Sequence, residues 1–184
     1  LGGDRPVRIA DAGASKELDL KVIVPVEDMA NIDPSFYQQV GTVSGTGYEG
    51  AQGIWPAVYP RLLELIRSHR STLIFVNNRR LAERLAARLN EMAGEELLRA
   101  HHGSVSREQR LDIEERLKAG LLPGLVCTSS LELGIDMGAV DLVIQVESPK
   151  SVARGLQRVG RAGHQVDAPS VGRIFPKFRG DLLE

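Results

Sequence analysis

Cysteine is almost missing. Cys127 is the single one in 184 residues, so no intramolecular disulfide can form, which argues against a secreted, disulfide-stapled scaffold. It sits in the apolar run GLVCTS and reads as core. Aromatic residues make up 4%, too few for base stacking to be the main grip on a nucleic acid. An excess of either charge is absent as well: 23 basic and 24 acidic side chains leave a net −1. The total therefore says nothing for a polyanionic partner, and only a local cluster could. No apolar run approaches the roughly 18 residues that cross a bilayer, and no charged-then-apolar leader opens the chain, so no membrane is expected as a partner. The phosphate-loop pattern G-x-x-x-x-G-K-[ST] occurs nowhere, nor does a nucleophile-elbow serine with its partners. On its own the chain has no evident phosphate cradle and no metal site. It opens at Leu1 without a methionine and stops at DLLE, and is expected to be a piece of something longer.

Hydrophobic residues make up 42%, enough for a globular fold. The length suits a single domain over residues 1–184. ELDLKVIVPV (17–26) alternates, placing Leu18, Leu20, Val22, Val24 and Val26 on one face of a strand. Residues 27–53 are polar and glycine-rich and read as a long loop. A helix is expected from about Ile54 to His69, with Leu62, Leu65 and Ile66 as its buried stripe. STLIFVN (71–77), ELLRAHH, GLVCTSS and VDLVIQV are short, mostly continuous apolar strands. Between them run a helix carrying Leu81, Leu85, Leu89 and Met92, and another opened by the capping pair Ser106 and Gln109. A last helix is expected over 149–162, with Pro149 in its first turn, and a last strand over 171–177. Apolar strands between amphipathic helices define an α/β fold, a parallel sheet covered by helices on both faces. Ligands of such sheets sit beyond the carboxyl ends of the strands. Asn77, Asn78, His102, Gly103, Thr128 and Ser129 all fall there.

Three tempting features carry less. GTGYEG (45–50) fits the dinucleotide fingerprint G-x-G-x-x-G. It lacks the preceding strand, the helix opening within it and an acidic residue at a following strand end. A flexible loop is the better reading, and a nicotinamide oxidoreductase the weaker one. His101 and His102 are neighbours at a strand end, so their side chains point to opposite faces, and no third ligand has a fitting spacing. From Lys150 to Arg179 basic residues outnumber the single acid Asp167. Arg154, Arg158 and Arg161 are spaced to share one helix side, a surface suited to a bound anion.

STLIFVNNRRLAERLA, HHGSVSREQR, VCTSSLELGIDMGAVDLVIQ and QRVGRAGH follow one another in the order found in the second RecA-like domain of superfamily-two helicases. The chain resembles that domain over roughly Ile54 to Arg173, with the motifs falling within about 54–176. NNRRLAERLAARLNE and GRAGH look most like the large-helicase-related (Lhr) proteins. The resemblance implies a RecA-like fold and a role as second motor domain of an ATP-dependent helicase, cytoplasmic, in a bacterium or archaeon. It implies that Arg161 reaches the γ-phosphate as an arginine finger and that Gln157 senses the same phosphate and the attacking water. Gly134, Asp136 and Arg158 would face the nucleotide. Asn77, Arg79, Thr128 and Ser129, with the backbone at His102 and Gly103, would contact phosphates of one nucleic-acid strand. That strand is expected to be single-stranded DNA, with RNA or a hybrid open. Relatives often carry a second arginine where this chain has His164. The phosphate loop and the Mg²⁺ ligands for ATP would lie on a first RecA-like domain, so the fragment alone should be inactive. The rival reading is a nucleic-acid-binding module with no nucleotide role. Of the few aromatics that could stack on a base, Tyr48 and Trp55, Trp55 reads as core of its helix.

Overall fold

The computed structural model describes residues 17–29, 53–131, 140–163 and 169–183. Among these residues six strands form one sheet: β1 (Leu18–Val22), β2 (Thr72–Phe75), β3 (Leu98–His101), β4 (Gly124–Cys127), β5 (Leu142–Val146) and β6 (Ser170–Phe175). Their order is β1-β6-β5-β2-β4-β3 and every pairing is parallel. Parallel neighbours need crossovers, and helices supply them. These are α1 (Trp55–Arg67), α2 (Arg79–Ala93), α3 (Arg107–Lys118) and α4 (Val152–Val159).

The alternation of side chains in β2 sorts the core into two layers. Ile74 packs with Leu62 and Ile66 of α1 and Leu81, Leu85 and Leu89 of α2. Leu73 and Phe75 face the other way, with Ile113 and Leu117 of α3 and Val159 of α4. Each central strand is buried on both faces, which is why its sequence is a continuous apolar run. Cys127 belongs to the second layer and is fully buried. Trp55 is buried in the first, stacked on Tyr59 with ring centroids 5.4 Å apart. It is held in the core and cannot offer its face to a base.

Helix starts follow local chemistry. Asn78 accepts from the Leu81 N–H at 2.8 Å, Ser106 from Gln109 at 3.2 Å and Ser151 from Arg154 at 3.3 Å. Gly94 ends α2 in the left-handed region at φ 73°. The helix expected over 149–162 is shorter. Lys150 sits at φ 67°, outside any helix, so the chain can enter α4 only after the Ser151 cap. The helix stops before Gly160, and Arg161 lies outside it.

β1 also departs from expectation. It is shorter than 17–26, and its apolar residues are not covered: Leu18, Leu20, Val22 and Val24 are 39–54% exposed. Among the described residues β1 is the edge strand and pairs only with β6. Leu20 reaches the same side of Gly172 as Val159 of α4, but the face stays largely open, so alternation there marks a shared face but not a buried one. No helix among the described residues is long and apolar enough to cross a membrane.

Candidate functional site

The residues expected after the strands do come together. Asn77, His102 and Thr128 follow the carboxyl ends of β2, β3 and β4, which lie side by side. Arg79 opens α2, and its Nη1 donates to Ser104 Oγ at 3.0 Å. That bond draws the loop after β3 against the start of α2. Thr128 is half-buried, with its N–H on the His101 carbonyl at 3.3 Å, while Ser129 and Gly103 are exposed. Added Cβ volume at Gly103 would meet nothing within 4 Å, so open space lies over this backbone. Hydroxyls, a guanidinium and exposed backbone at the carboxyl-end rim of the sheet suit contacts to a phosphodiester chain without reading bases.

The two histidines hold this rim together. His101 is buried, with Nδ1 3.0 Å from Ser130 Oγ and Nε2 3.0 Å from Glu114 of α3. Burial pushes its pKa down, partly opposed by the bond to Glu114. His102 turns the other way, to Glu83 of α2 at 2.6 Å. Its Nδ1 accepts from the Ser104 N–H at 3.2 Å, so in the neutral ring Nε2 carries the proton and donates to Glu83. Diverging side chains of this kind cannot share one ion. Among the described residues no group of three or more His, Cys, Asp or Glu comes together as metal ligands.

Asn77 is placed as expected, but its side chain is committed elsewhere. Nδ2 donates to Glu147 Oε2 at 3.2 Å and to the Ser148 carbonyl at 3.0 Å. A phosphate contact by that amide would have to displace both bonds beside a carboxylate. Asn77 therefore ties β2 to the turn after β5.

Arg158 is the clearest correction. It is 3% exposed, with Nη1 donating to Gln145 Oε1 at 2.6 Å and its guanidinium 5.2 Å from the Phe75 ring centroid. It is therefore a core side chain and does not join Arg154 and Arg161 on an open, anion-binding face. Arg173 is likewise engaged, with Asp19 at 2.8 Å, and Lys177 with Glu147 at 3.3 Å. The Arg173 bond holds the Asp19 carboxyl below its usual range. Much of the basic excess after Lys150 is thus internal. Gln157 is exposed and Arg161 half-buried. The Arg161 N–H bonds the Arg158 carbonyl at 3.0 Å, and Gly163 N–H bonds the Val140 carbonyl at 2.8 Å. That stitch fixes the segment carrying Arg161 at the amino end of β5, towards the opposite end of the sheet from Thr128. Gly134, Asp136, His164, Tyr48 and GTGYEG lie outside the described residues.

Sequence reasoning missed Gln145, Glu147, Glu83 and Ser104. Gln145 had a signal: a polar residue inside LVIQV must find a buried partner.

The chain belongs to the helicase conserved C-terminal domain family, whose model matches residues 57–165. Its parallel sheet with helices on both faces is the RecA-like fold of the second motor domain of superfamily-two helicases. Within that class it is similar along its whole length to the Lhr helicases. It is 47% identical over 216 residues to a Lhr helicase/probable uracil glycosylase of Mycolicibacterium smegmatis, covering 100% of this chain and 13% of that protein. It is 44% identical over 190 residues to the ATP-dependent helicase Lhr-Core of Saccharolobus solfataricus, covering 100% of this chain and 20% of that one. The structure of Mycobacterium smegmatis helicase Lhr bound to ssDNA and AMP-PNP matches with a TM-score of 0.81 at 54% identity, over 100% of this chain and 22% of that chain. The chain thus spans about a fifth or less of the relatives it matches.

Proposed function

We propose that this domain works as the second motor domain of an ATP-dependent helicase that moves on single-stranded DNA. In this reading the rim formed by Arg79, Thr128, Ser129 and the backbone of His102 and Gly103 holds phosphates of one strand. Arg161 reaches the γ-phosphate of ATP bound by a first RecA-like domain, and exposed Gln157 lies four residues before it, in the last turn of α4. Gly134 and Asp136 are assigned to the nucleotide by resemblance alone. Mg²⁺ and its ligands are assigned to the first domain, together with the phosphate loop that this chain lacks. Closure of the two domains on ATP and release after hydrolysis would then move the strand.

The observation that carries the reading is the separation of the two regions on one rigid sheet. The phosphate-suited rim is at the carboxyl ends of β2, β3 and β4, and Arg161 is stitched through Gly163 to Val140 at the amino end of β5. A module that only bound nucleic acid would have no need of an arginine fixed there.

Charge grows on the transferring phosphoryl group as its bond breaks, so an arginine aimed at it matters more to the transition state than to the ground state. In the full-length protein, Arg161→Ala should cut kcat on the order of 10³-fold. Affinity for nucleotide should change much less, and strand binding without nucleotide hardly at all. Arg161→Lys should not rescue turnover, because a point charge lacks the two-pronged geometry. Loss of strand binding with intact ATP turnover would assign Arg161 to the track instead.

A further inference from the structure

The buried Arg158 joins the two regions by a continuous hydrogen-bonded path. It begins at Asn77, the residue between β2 and the capped start of α2 that carries Arg79. Asn77 Nδ2 donates to Glu147 Oε2 and to the Ser148 carbonyl. Glu147 is held in the left-handed region at φ 66°, sparsely populated for a residue with a side chain. Its carbonyl, and that of Val146, each accept from Gln145 Nε2 at 2.9 Å. Gln145 Oε1 accepts from Arg158, whose carbonyl accepts from the Arg161 N–H at 3.0 Å. Gln145 and Arg158 are 2% and 3% exposed, so water does not compete for the bond that joins them.

Packing alone does not call for this chain. An apolar pair of the same volume would fill the space without desolvating a guanidinium. The turn between β5 and α4 also holds a second left-handed residue, Lys150 at φ 67°. A strained turn kept in place by side-chain amides on both sides is the kind of element that can take two arrangements.

We propose that Gln145 and Arg158 are positioning residues that couple strand occupancy near Arg79 to the placement of Arg161, so that strand binding accelerates ATP hydrolysis. The inference rests on the reading of Arg161 as the phosphate contact. A shift of the β2–α2 junction moves Asn77 and, through the Glu147 carboxylate and the Ser148 carbonyl it holds, the turn that presents the Glu147 carbonyl. Gln145 follows that carbonyl, Arg158 follows Gln145, and the turn bearing Arg161 is drawn along.

The test uses the full-length protein and Gln145→Glu. A carboxylate keeps the size and the acceptor for Arg158, but it cannot donate to the Val146 and Glu147 carbonyls. ATP turnover is measured without strand and with saturating single-stranded DNA, alongside the KM for ATP, the Kd for the strand and the melting temperature. The strand-stimulated kcat should fall about tenfold, with basal kcat, KM and Kd within about twofold of the unaltered protein. Gln145→Met lacks the acceptor for Arg158 as well as the donor; it breaks the path at the same residue, should give the same split and serves if Gln145→Glu does not fold. Full strand stimulation in a folded Gln145 variant would overturn the inference. So would a parallel fall of basal and stimulated turnover, which marks a merely structural role. If Arg161→Ala keeps full turnover, the reading of Arg161 as the phosphate contact fails and this inference with it. If Arg161→Ala is inactive while Gln145→Glu behaves as the unaltered protein, only the inference fails.

Discussion

Replacing Arg158 by alanine separates an arginine of the core from an arginine waiting for a ligand. The substitution removes a hydrogen bond from a charged group to Gln145 Oε1, worth about 1.5–3 kcal/mol. It also removes the contact over Phe75, worth about 1–2 kcal/mol when desolvated. A hole then remains beside Val159 and Phe75, and Gln145 Oε1 is left without its donor. These contributions overlap, so the net loss should be about 3–5 kcal/mol. For a domain of this size that lowers the melting temperature by about 6–20 °C. Arg158→Met refills most of the volume and leaves mainly the unpaired Gln145 oxygen, so it should lose about 1–3 kcal/mol. Arg154, on the same helix but exposed, is the control: Arg154→Ala should stay within about 0.5 kcal/mol. Urea unfolding of the 184-residue polypeptide, followed by far-ultraviolet circular dichroism, orders the three variants. An Arg158→Ala protein as stable as Arg154→Ala would place the Arg158 side chain in solvent, free for nucleotide, and would refute the buried assignment.

Three other outcomes follow from the geometry. In the full-length protein Arg79→Ala should weaken single-strand binding equally for all sequences and lower the salt slope by about one contact or less; a sequence-dependent loss measured by fluorescence anisotropy would point to base readout. Gly124→Ala should destabilise by about 1–3 kcal/mol in the same urea assay, because its new methyl would sit 2.8 Å from the Thr72 carbonyl oxygen and 2.7 Å from Leu98 Cδ2; an unchanged midpoint would mean that β2 and β4 can part at no cost. Burial lowers the His101 pKa below its ordinary 6.5, so the unfolded chain binds the proton more readily; stability should therefore be fully present above pH 6.5 and decline below it towards the folded pKa, and a profile no flatter in His101→Gln would assign that slope to other groups.

How much of this was legible in the sequence depended on what kind of information periodicity carries. The buried strands β2, β4 and β5 could be read directly, because a run such as TLIF or LVIQV is apolar on both faces only where helices cover both. Alternation in β1 said equally clearly which residues share a face. It could not say that the strand lies at the sheet edge, since edge position depends on pairing with β6, about 150 residues away. The same limit governs the arginines. Spacings of four and three put Arg154, Arg158 and Arg161 on a common side only if one helix spans them all. The left-handed Lys150 and the turn at Gly160 confine that helix to Val152–Val159 and leave Arg161 outside it. Which arginine turns inward was decided by Gln145, on another element. A buried amide demands a donor, and Arg158 is the donor within reach. Motif order identified the domain because it requires no such long-range knowledge. The division of labour among its arginines does require it: Arg158 of QRVGRAGH is held in the core, while Arg161 of the same motif is the one we propose meets phosphate.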